Sequence, residues 1–485
     1  MRKSKLFVLS ILTFALLAYF NPNFHVNIRI NHYRKISTNS EDNESWATII
    51  DENGIEYSKS KVVNNSIYVV GYFNGNGLYV TKYNNSGVKL WEYTWNIISW
   101  HFDFTIDSDN YLYIAGTSFT DSPASLFLLK INASGNLVWS KIINSDTSCL
   151  VVSLKADLNN YLYISGYNST GNKIILLKLN SSGAILWDRD LNMERPDIIE
   201  MYIDSGSNII LYIGTDYSSQ YLIKYNSSGS IIWQKEWGGS HMTGKSKVTF
   251  NDDILISNIP IFQKNNTVDR WILKINGSGS TINKTKIGNY PLGLFWGKLW
   301  YYDDFNNIYL IGVAYYEGVV LYKINSNLTL AWNCSLNYFS RYDYGLIKIK
   351  CDSQQDITIV SGTDRYDPNS KILLLKLNSS GIIVNNFFWG GPNRDKIEQV
   401  FIDAQDNIYF LGISESVNPW NVHRDYTILV KNPKANGSPP ELNYEFGKND
   451  ALVFTIMSFV SLISLTVILS ILIPEISIFK RNKRN

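Results

Sequence analysis

Lys130-Ile-Asn-Ala-Ser-Gly-Asn-Leu-Val-Trp139 is one copy of a pattern that returns along most of the chain. Further copies read Lys82-Tyr-Asn-Asn-Ser-Gly87, Lys178-Leu-Asn-Ser-Ser-Gly183, Lys224-Tyr-Asn-Ser-Ser-Gly229, Lys274-Ile-Asn-Gly-Ser-Gly279 and Lys376-Leu-Asn-Ser-Ser-Gly381. The pattern decays at Lys323-Ile-Asn-Ser-Asn-Leu328. The lysines fall 46 to 53 residues apart, the period of a four-stranded array unit. An apolar run precedes each copy and Gly-x-x-x-Trp follows several, as at Gly135 to Trp139, Gly183 to Trp187 and Gly229 to Trp233. β-formers on both sides of Asn-x-Ser-Gly predict a hairpin.

A second landmark marks the other half of each unit. Asp107 leads into Asn110-Tyr-Leu-Tyr-Ile-Ala-Gly116, and Asp157, Asp303 and Asp403 lead into similar runs ending at Gly166, Gly312 and Gly412. Asp and Asn favour turns because their side chains bond nearby backbone groups. With Gly71, Gly214, Asn258 and Gly362 there are eight such strand ends. Each unit then has strands a, b, c and d, with Asp-x-x-Asn turning a into b and Asn-x-Ser-Gly turning c into d. No helical period survives between residues 46 and 445.

These features predict an all-β chain: a single β-propeller of eight four-stranded blades, or seven if one unit is malformed, over residues 46–431. Asp51-Glu-Asn-Gly-Ile-Glu-Tyr57 reads as a lone c–d turn with its d strand, and the last unit lacks a clear d strand of its own. The N-terminal segment is therefore expected to complete the last blade and remove the sheet edges, Glu441 to Phe446 being the rival for that place.

The ends differ in character. Arg2, Lys3 and Lys5 precede an apolar run, Leu6 to Phe20, so residues 1–20 read as a signal peptide or an uncleaved N-terminal anchor. Residues 21–45 are a polar leader, and residues 432–450, with Pro433, Gly437, Pro439 and Pro440, a linker. Ala451 to Ile473 runs 23 residues without a charge, about 35 Å of helix, enough to cross a bilayer. The basic tail 474–485 stays cytoplasmic by the positive-inside rule, which places the propeller outside. The formal charge is +2, but the two ends contribute about +3 each, leaving the remainder near −4. That balance argues against a nucleic-acid partner.

Trp389-Gly-Gly-Pro-Asn-Arg-Asp395 with Asn407-Ile-Tyr-Phe-Leu-Gly412, and Trp237-Gly-Gly239, resemble the SBBP repeats of prokaryotic surface proteins. The resemblance covers about residues 46–431 and implies a propeller in an extracytoplasmic setting, usually without a known activity. Most units here lack the Trp-Gly-Gly pair.

Fourteen Asn-x-Ser/Thr sequons are candidate N-glycosylation sites: Asn43, Asn64, Asn84, Asn132, Asn168, Asn180, Asn226, Asn265, Asn276, Asn283, Asn327, Asn333, Asn378 and Asn436. Turn chemistry alone explains the six that share one turn position. Asp107-x-Asp109-Asn110 and Asp403-x-x-Asp406-Asn407 lack the alternation and terminal Glu of a calcium loop and read as turns. The five histidines show no ligand spacing, so no metal site and no cofactor is expected. Three cysteines make no disulfide framework, although Cys334 and Cys351 fall on neighbouring predicted strands, as a pair or as free thiols. Quinoprotein propellers carry adjacent cysteines, and sialidase-like ones Ser-x-Asp-x-Gly-x-x-Trp; this chain has neither.

The d–a and b–c connections stand apart. They hold Trp95, Trp100, His101, Trp296, Trp300, Arg341 and Tyr342, and the segment Ser414 to Asp425 adds Trp420, His423 and Arg424. Aromatic and polar groups on a rigid rim suit glycan or protein partners, unless the rings pack between blades. The expectation is a cell-surface, membrane-anchored, non-enzymatic binding or adhesion module. A structural glycosylated envelope component is the alternative, and a propeller enzyme ranks behind both.

Overall fold

The computed structural model describes residues 45–433, less the connecting stretches 52–55, 74–76, 100, 120–124, 144–148, 169–172, 194–195, 216–218, 239–244, 263–267, 287–299, 315–317, 337–346, 363–370, 391–393 and 418–422. The expected signal segment, leader and membrane helix, and nearly all of the linker, lie outside the described residues, as does the rival strand 441–446. Among the described residues no helix is long and apolar enough to cross a membrane.

Eight antiparallel four-stranded sheets follow one another around a ring. Blade 2 shows the plan, with strand a at Phe102–Ile106, b at Leu112–Ser118, c at Ser125–Ile131 and d at Leu137–Ile143. Blade 1 opens with strand a at Glu56–Val63, and blade 7 closes with strand d at Ile383–Trp389. Blade 8 takes its first three strands from Asp395–Ile402, Ile408–Val417 and His423–Lys431, and its fourth from Trp46–Asp51.

The N-terminal segment thus closes the ring, but not with the residues the turn signal suggests. The closing strand is Trp46–Asp51 rather than 51–57, paired Trp46 to Lys431 and Ile49 to Ile428. Glu56 and Tyr57 belong instead to strand a of blade 1. The misreading came from Asn53-Gly54, which resembles a c–d turn although the true fourth strand has no such turn before it.

Burial explains the two sequence textures. Strands b lie between blades with both faces covered, and Leu112–Ser118 is buried at every position. Strands d form the outer edge, and Ile185–Asn192 alternates between exposed and half-buried residues. Continuous apolar runs and period-two alternation follow from those surroundings. The core is a series of inter-blade layers. Tyr68, Val70 and Val80 of blade 1 meet Phe102, Phe104 and Phe127 of blade 2. At the closure, Trp46 and Ile50 join Ile67, Tyr79 and Tyr83 with Tyr409, Leu411 and Leu429.

The recurring Gly and Trp are two halves of one contact between neighbours. The indole of Trp91, on strand d of blade 1, lies against Gly135 in the c–d turn of blade 2, where a Cβ would sit 2.6 Å from the ring. Gly135 also has φ +85°, so a side chain is refused twice. The Trp91 Nε1 donates to the Ala133 carbonyl at 3.0 Å. The same contact joins Trp139 to Gly183, Trp187 to Gly229, Trp233 to Gly279 and Trp332 to Gly381. Trp46 makes it with Gly87, sealing blade 8 onto blade 1, and its Nε1 donates to the Asn85 carbonyl at 3.0 Å.

Two joints lack the indole, and at blade 7 the position opposite Lys376 holds Asn385 while blade 8 takes its fourth strand from Trp46–Asp51 rather than through a c–d turn. In blade 5 the tryptophan position holds Asn283, opposite Lys274 as Trp91 is opposite Lys82. The next blade carries Leu328 where the others carry glycine, at φ 65° and 4% exposed, packed on Leu255 and Ile272 of blade 5. Asn283 Nδ2 keeps the hydrogen bond, donating to the Asn327 carbonyl at 2.7 Å. Where the indole is absent the glycine is absent too.

The lysine of each repeat works at the same joint. Lys178 Nζ donates to the Ser227 carbonyl at 2.9 Å beside the Trp187 indole at 3.1 Å, and lies 4.3 Å from the centroid of the Tyr161 ring. Lys224 reaches the Gly277 carbonyl at 3.0 Å and pairs with Asp204 at 2.8 Å, their side chains 7% and 2% exposed. The a–b aspartate caps its own turn. Asp403 Oδ1 accepts from the Gln405 and Asn407 amides at 2.9 Å each, and Oδ2 from the Tyr409 hydroxyl at 3.0 Å. Asp107 accepts likewise from the Asp109 and Tyr111 amides, while Asp109 accepts from Asn160 of blade 3. Both expected turns are therefore caps and inter-blade links. Cys149, Cys334 and Cys351 are free thiols.

Three outcomes are expected. Asn283→Trp alone destabilises, because its indole meets Leu328. Combined with Leu328→Gly it recovers, with a coupling above about 1 kcal/mol in a denaturation double-mutant cycle; additive effects would refute the clasp. Trp46→Ala costs about 3–5 kcal/mol by the same measurement, and deleting residues 45–51 bares the edge of His423–Lys431 and promotes self-association. A truncated chain that stays monomeric with unchanged melting would contradict this closure. Burial raises the Asp204 carboxyl, but hydrogen bonds from Lys224 and Asn208 outweigh it and hold it below its ordinary value. That stabilisation is complete above the unfolded carboxylate value and is lost as pH falls through the lower folded one. Lys224→Met should therefore cost about 3–5 kcal/mol at neutral pH and less in acid, measured by melting against pH.

Candidate functional site

The two faces of the ring are built differently. Both turn families share one face, because Lys323, at the end of a c strand, reaches Gln355 in the next a–b turn and Ser379 in the next c–d turn. On this face the a–b connections are five residues in every blade but the first, where Asn64 and Asn65 suffice. The connections on the opposite face range from three residues at 193–195 to thirteen at 287–299.

The predicted rim residues separate once placed. Trp95 is not a rim group. It packs between blades 1 and 2, edge-on to Phe127 with centroids 5.3 Å apart. Trp300 is a strand residue of blade 6 opposite Leu310. His423 and Arg424 lie on strand c of blade 8, paired with Val417 and Ser416, so the connection there is 418–422 and not the longer loop expected. His101 is exposed at the start of blade 2, with its ring centroid 6.3 Å from Phe119. Burial and then the Lys59 ammonium hold its imidazole below the ordinary value. Trp100, Trp296, Arg341, Tyr342 and Trp420 lie outside the described residues.

The sequons also divide. Asn168 is 1% exposed within strand b of blade 3, which leaves no room for a glycan. Asn84, Asn132, Asn180, Asn226, Asn276 and Asn378 turn their Oδ1 inward to the turn, as when Asn180 accepts from the Ser182 and Ala184 amides at 3.1 and 2.9 Å. Asn64 donates to Asn110, Asn327 accepts from Thr329, and Asn333 is exposed. Asn43, Asn265 and Asn436 lie outside the described residues.

The central channel escaped the sequence reading. It is lined by strands a, the innermost of each sheet, and several present lysines in alternation: Lys59-Ser-Lys61, Lys245-Ser-Lys247 and Lys348-Ile-Lys350. Lys155 adds another from blade 3. Period-two spacing puts each pair on one side of its strand. Lys247 and Lys350 each stand two residues before their turn, and Lys245 and Lys348 four, so they form two tiers. Two of the channel carboxylates are already engaged. Asp103 accepts from Lys59 at 3.1 Å and from the Leu154 amide at 2.9 Å. Glu200 accepts from the Ser246 amide at 2.6 Å and hydroxyl at 2.7 Å. Burial pushes the Lys61 ammonium down to about 8, against the attraction of Asp103. A separate cleft of about 460 Å³ opens on the turn face at the seam, lined by Val62, Asn64, Asn65, Ile402, Asp403 and Ala404.

No protein-family model matches this chain, and no curated protein matches it. Among solved structures it is similar to a puromycin hydrolase at 9% identity and a TM-score of 0.43, over 74% of this chain and 58% of that one. It is similar to a prolyl endopeptidase at 7% identity and a TM-score of 0.44, over 75% and 55%, so it spans little more than half the length of either. The polysaccharide lyase Uly1 matches at 8% identity and a TM-score of 0.40, over 84% of this chain and 93% of that one.

Proposed function

We propose that this chain is a membrane-anchored, extracytoplasmic β-propeller serving as a non-enzymatic binding or adhesion module for a glycan or protein partner. The observation that carries the reading is the asymmetry of the faces. One face consists of near-identical turns locked to their neighbours, while the other gathers connections of three to thirteen residues. Variable connections on a rigid scaffold are where binding surfaces are placed. The resemblance to SBBP repeats, the uncharged run 451–473 and the basic tail support the surface setting. Strand c of blade 8 runs toward the turn face, so the described chain leaves the ring there.

A structural, glycan-coated role is the second reading. It is favoured by the six asparagines that share one position on the turn face, half-buried with Oδ1 capping the turn. The test is adhesion of cells displaying the full chain to arrayed glycans and to other cells. Saturable adhesion that falls at least tenfold with Trp296→Ala or Trp420→Ala, and is unchanged with Ser182→Ala on the turn face, supports the module. Absence of any saturable partner, or equal loss from Ser182→Ala, sinks it.

A further inference from the structure

The lysines of strands a are only partly used in holding the blades: Lys59 pairs with Asp103, Lys61 donates to the Phe104 carbonyl and Lys247 to the Asp303 carbonyl of the next blade, whereas among the described residues the ammonium groups of Lys245, Lys348 and Lys350 have no such bond. In blade 2, Asp103 offers one carboxylate to Lys59, Lys61 and Lys155 together. On the opposite wall Lys245 and Lys247 of blade 5 and Lys348 and Lys350 of blade 7 flank the three-residue strand a of blade 6, Trp300–Tyr302. Ammonium groups on blades 5 and 7 are close enough to repel one another across blade 6. Side chains from non-adjacent blades meet only in the channel.

Counter-charge there is sparse. Among the described residues no carboxylate comes within ion-pair distance of Lys245, Lys348 or Lys350. Lys247 donates to the Asp303 carbonyl of blade 6 and has the fully exposed Asp304 carboxylate at 3.9 Å. Glu398 attracts Lys348 from blade 8 without forming a pair. Burial lowers Lys247, Lys348 and Lys350 alike, against attraction from Asp304 or Glu398, and repulsion from the blade 5 lysines adds to the lowering at Lys348 and Lys350. The remainder of the chain is mildly acidic, so the positive charge is local to the channel.

We infer that the channel wall formed by blades 5 to 7 is a binding site for an oxyanion, a phosphate, sulfate or carboxylate group held by Lys245, Lys247, Lys348 and Lys350. Two tiers of ammonium groups surround an anion entering along the channel axis, and the Tyr301 ring, 5.0 Å from Lys350 Nζ, braces one of them. The site is separate from the variable face, so it stands or falls independently of the adhesion reading.

The test is calorimetric titration of the full-length protein with sodium tripolyphosphate at fixed ionic strength, repeated with sulfate and with citrate. Saturable binding of at least one of the three is expected, weakened at least tenfold in Lys245→Met/Lys348→Met and unchanged in Lys89→Met on the outer edge. The bound anion should also raise the melting temperature of the wild type, because it binds the folded ring alone. Without anion the double variant should melt no lower than the wild type, since relief of repulsion offsets the substitutions, and this checks that it folds. Heats that do not saturate for any of the three anions, equal affinity in the channel variant, or equal weakening by Lys89→Met would overturn the inference.

Discussion

Six of the eight joints in this ring depend on an indole seated where a side chain is forbidden. The tryptophan on strand d of one blade covers the glycine in the c–d turn of the next, and its Nε1 binds a carbonyl of the same turn. The contact joins hydrophobic burial to a directional bond, so it fixes both the spacing and the rotation of adjacent blades. Where present it runs from one blade to its successor, and it also runs from the last to the first. Trp46 performs that step on Gly87, 41 positions later in the chain but across the seam in space. The closing strand is held by register and clasp together.

The clasp also explains why the repeat carries lysine. The Lys178 ammonium shares the Ser227 carbonyl with the Trp187 indole and rests on tyrosine rings of its own blade. The same residue type has a different fate two strands inward. Lysines on strands c are consumed by the joint, whereas those on strands a face the channel with too few carboxylates. One face and the seams of the molecule are thus committed to holding the ring, and the channel and the opposite face are left for ligands.

Divergence within the repeats respects this division. Blade 5 lost its indole, blade 6 lost its glycine, and Asn283 retained the bond to the turn carbonyl. Such paired change is the behaviour of two groups in direct contact. The connections of the variable face differ in length from blade to blade.

Sequence alone determined the strands, the turns and the count of eight. Those are set within a few residues, by an Asp or Asn accepting amides two and four positions ahead and by alternation along a strand. It did not determine which N-terminal residues close the ring, because that choice rests on the pairing of Trp46 with Lys431, 385 positions away. It placed Trp95 and Trp300 on the rim when packing takes one between blades and pairing takes the other into a strand. It passed over Lys-x-Lys on strands a, which reads locally as an ordinary solvated edge. Only closure of the sheets into a ring makes those strands innermost, bringing lysines from separate blades into one enclosed space where their charges interact.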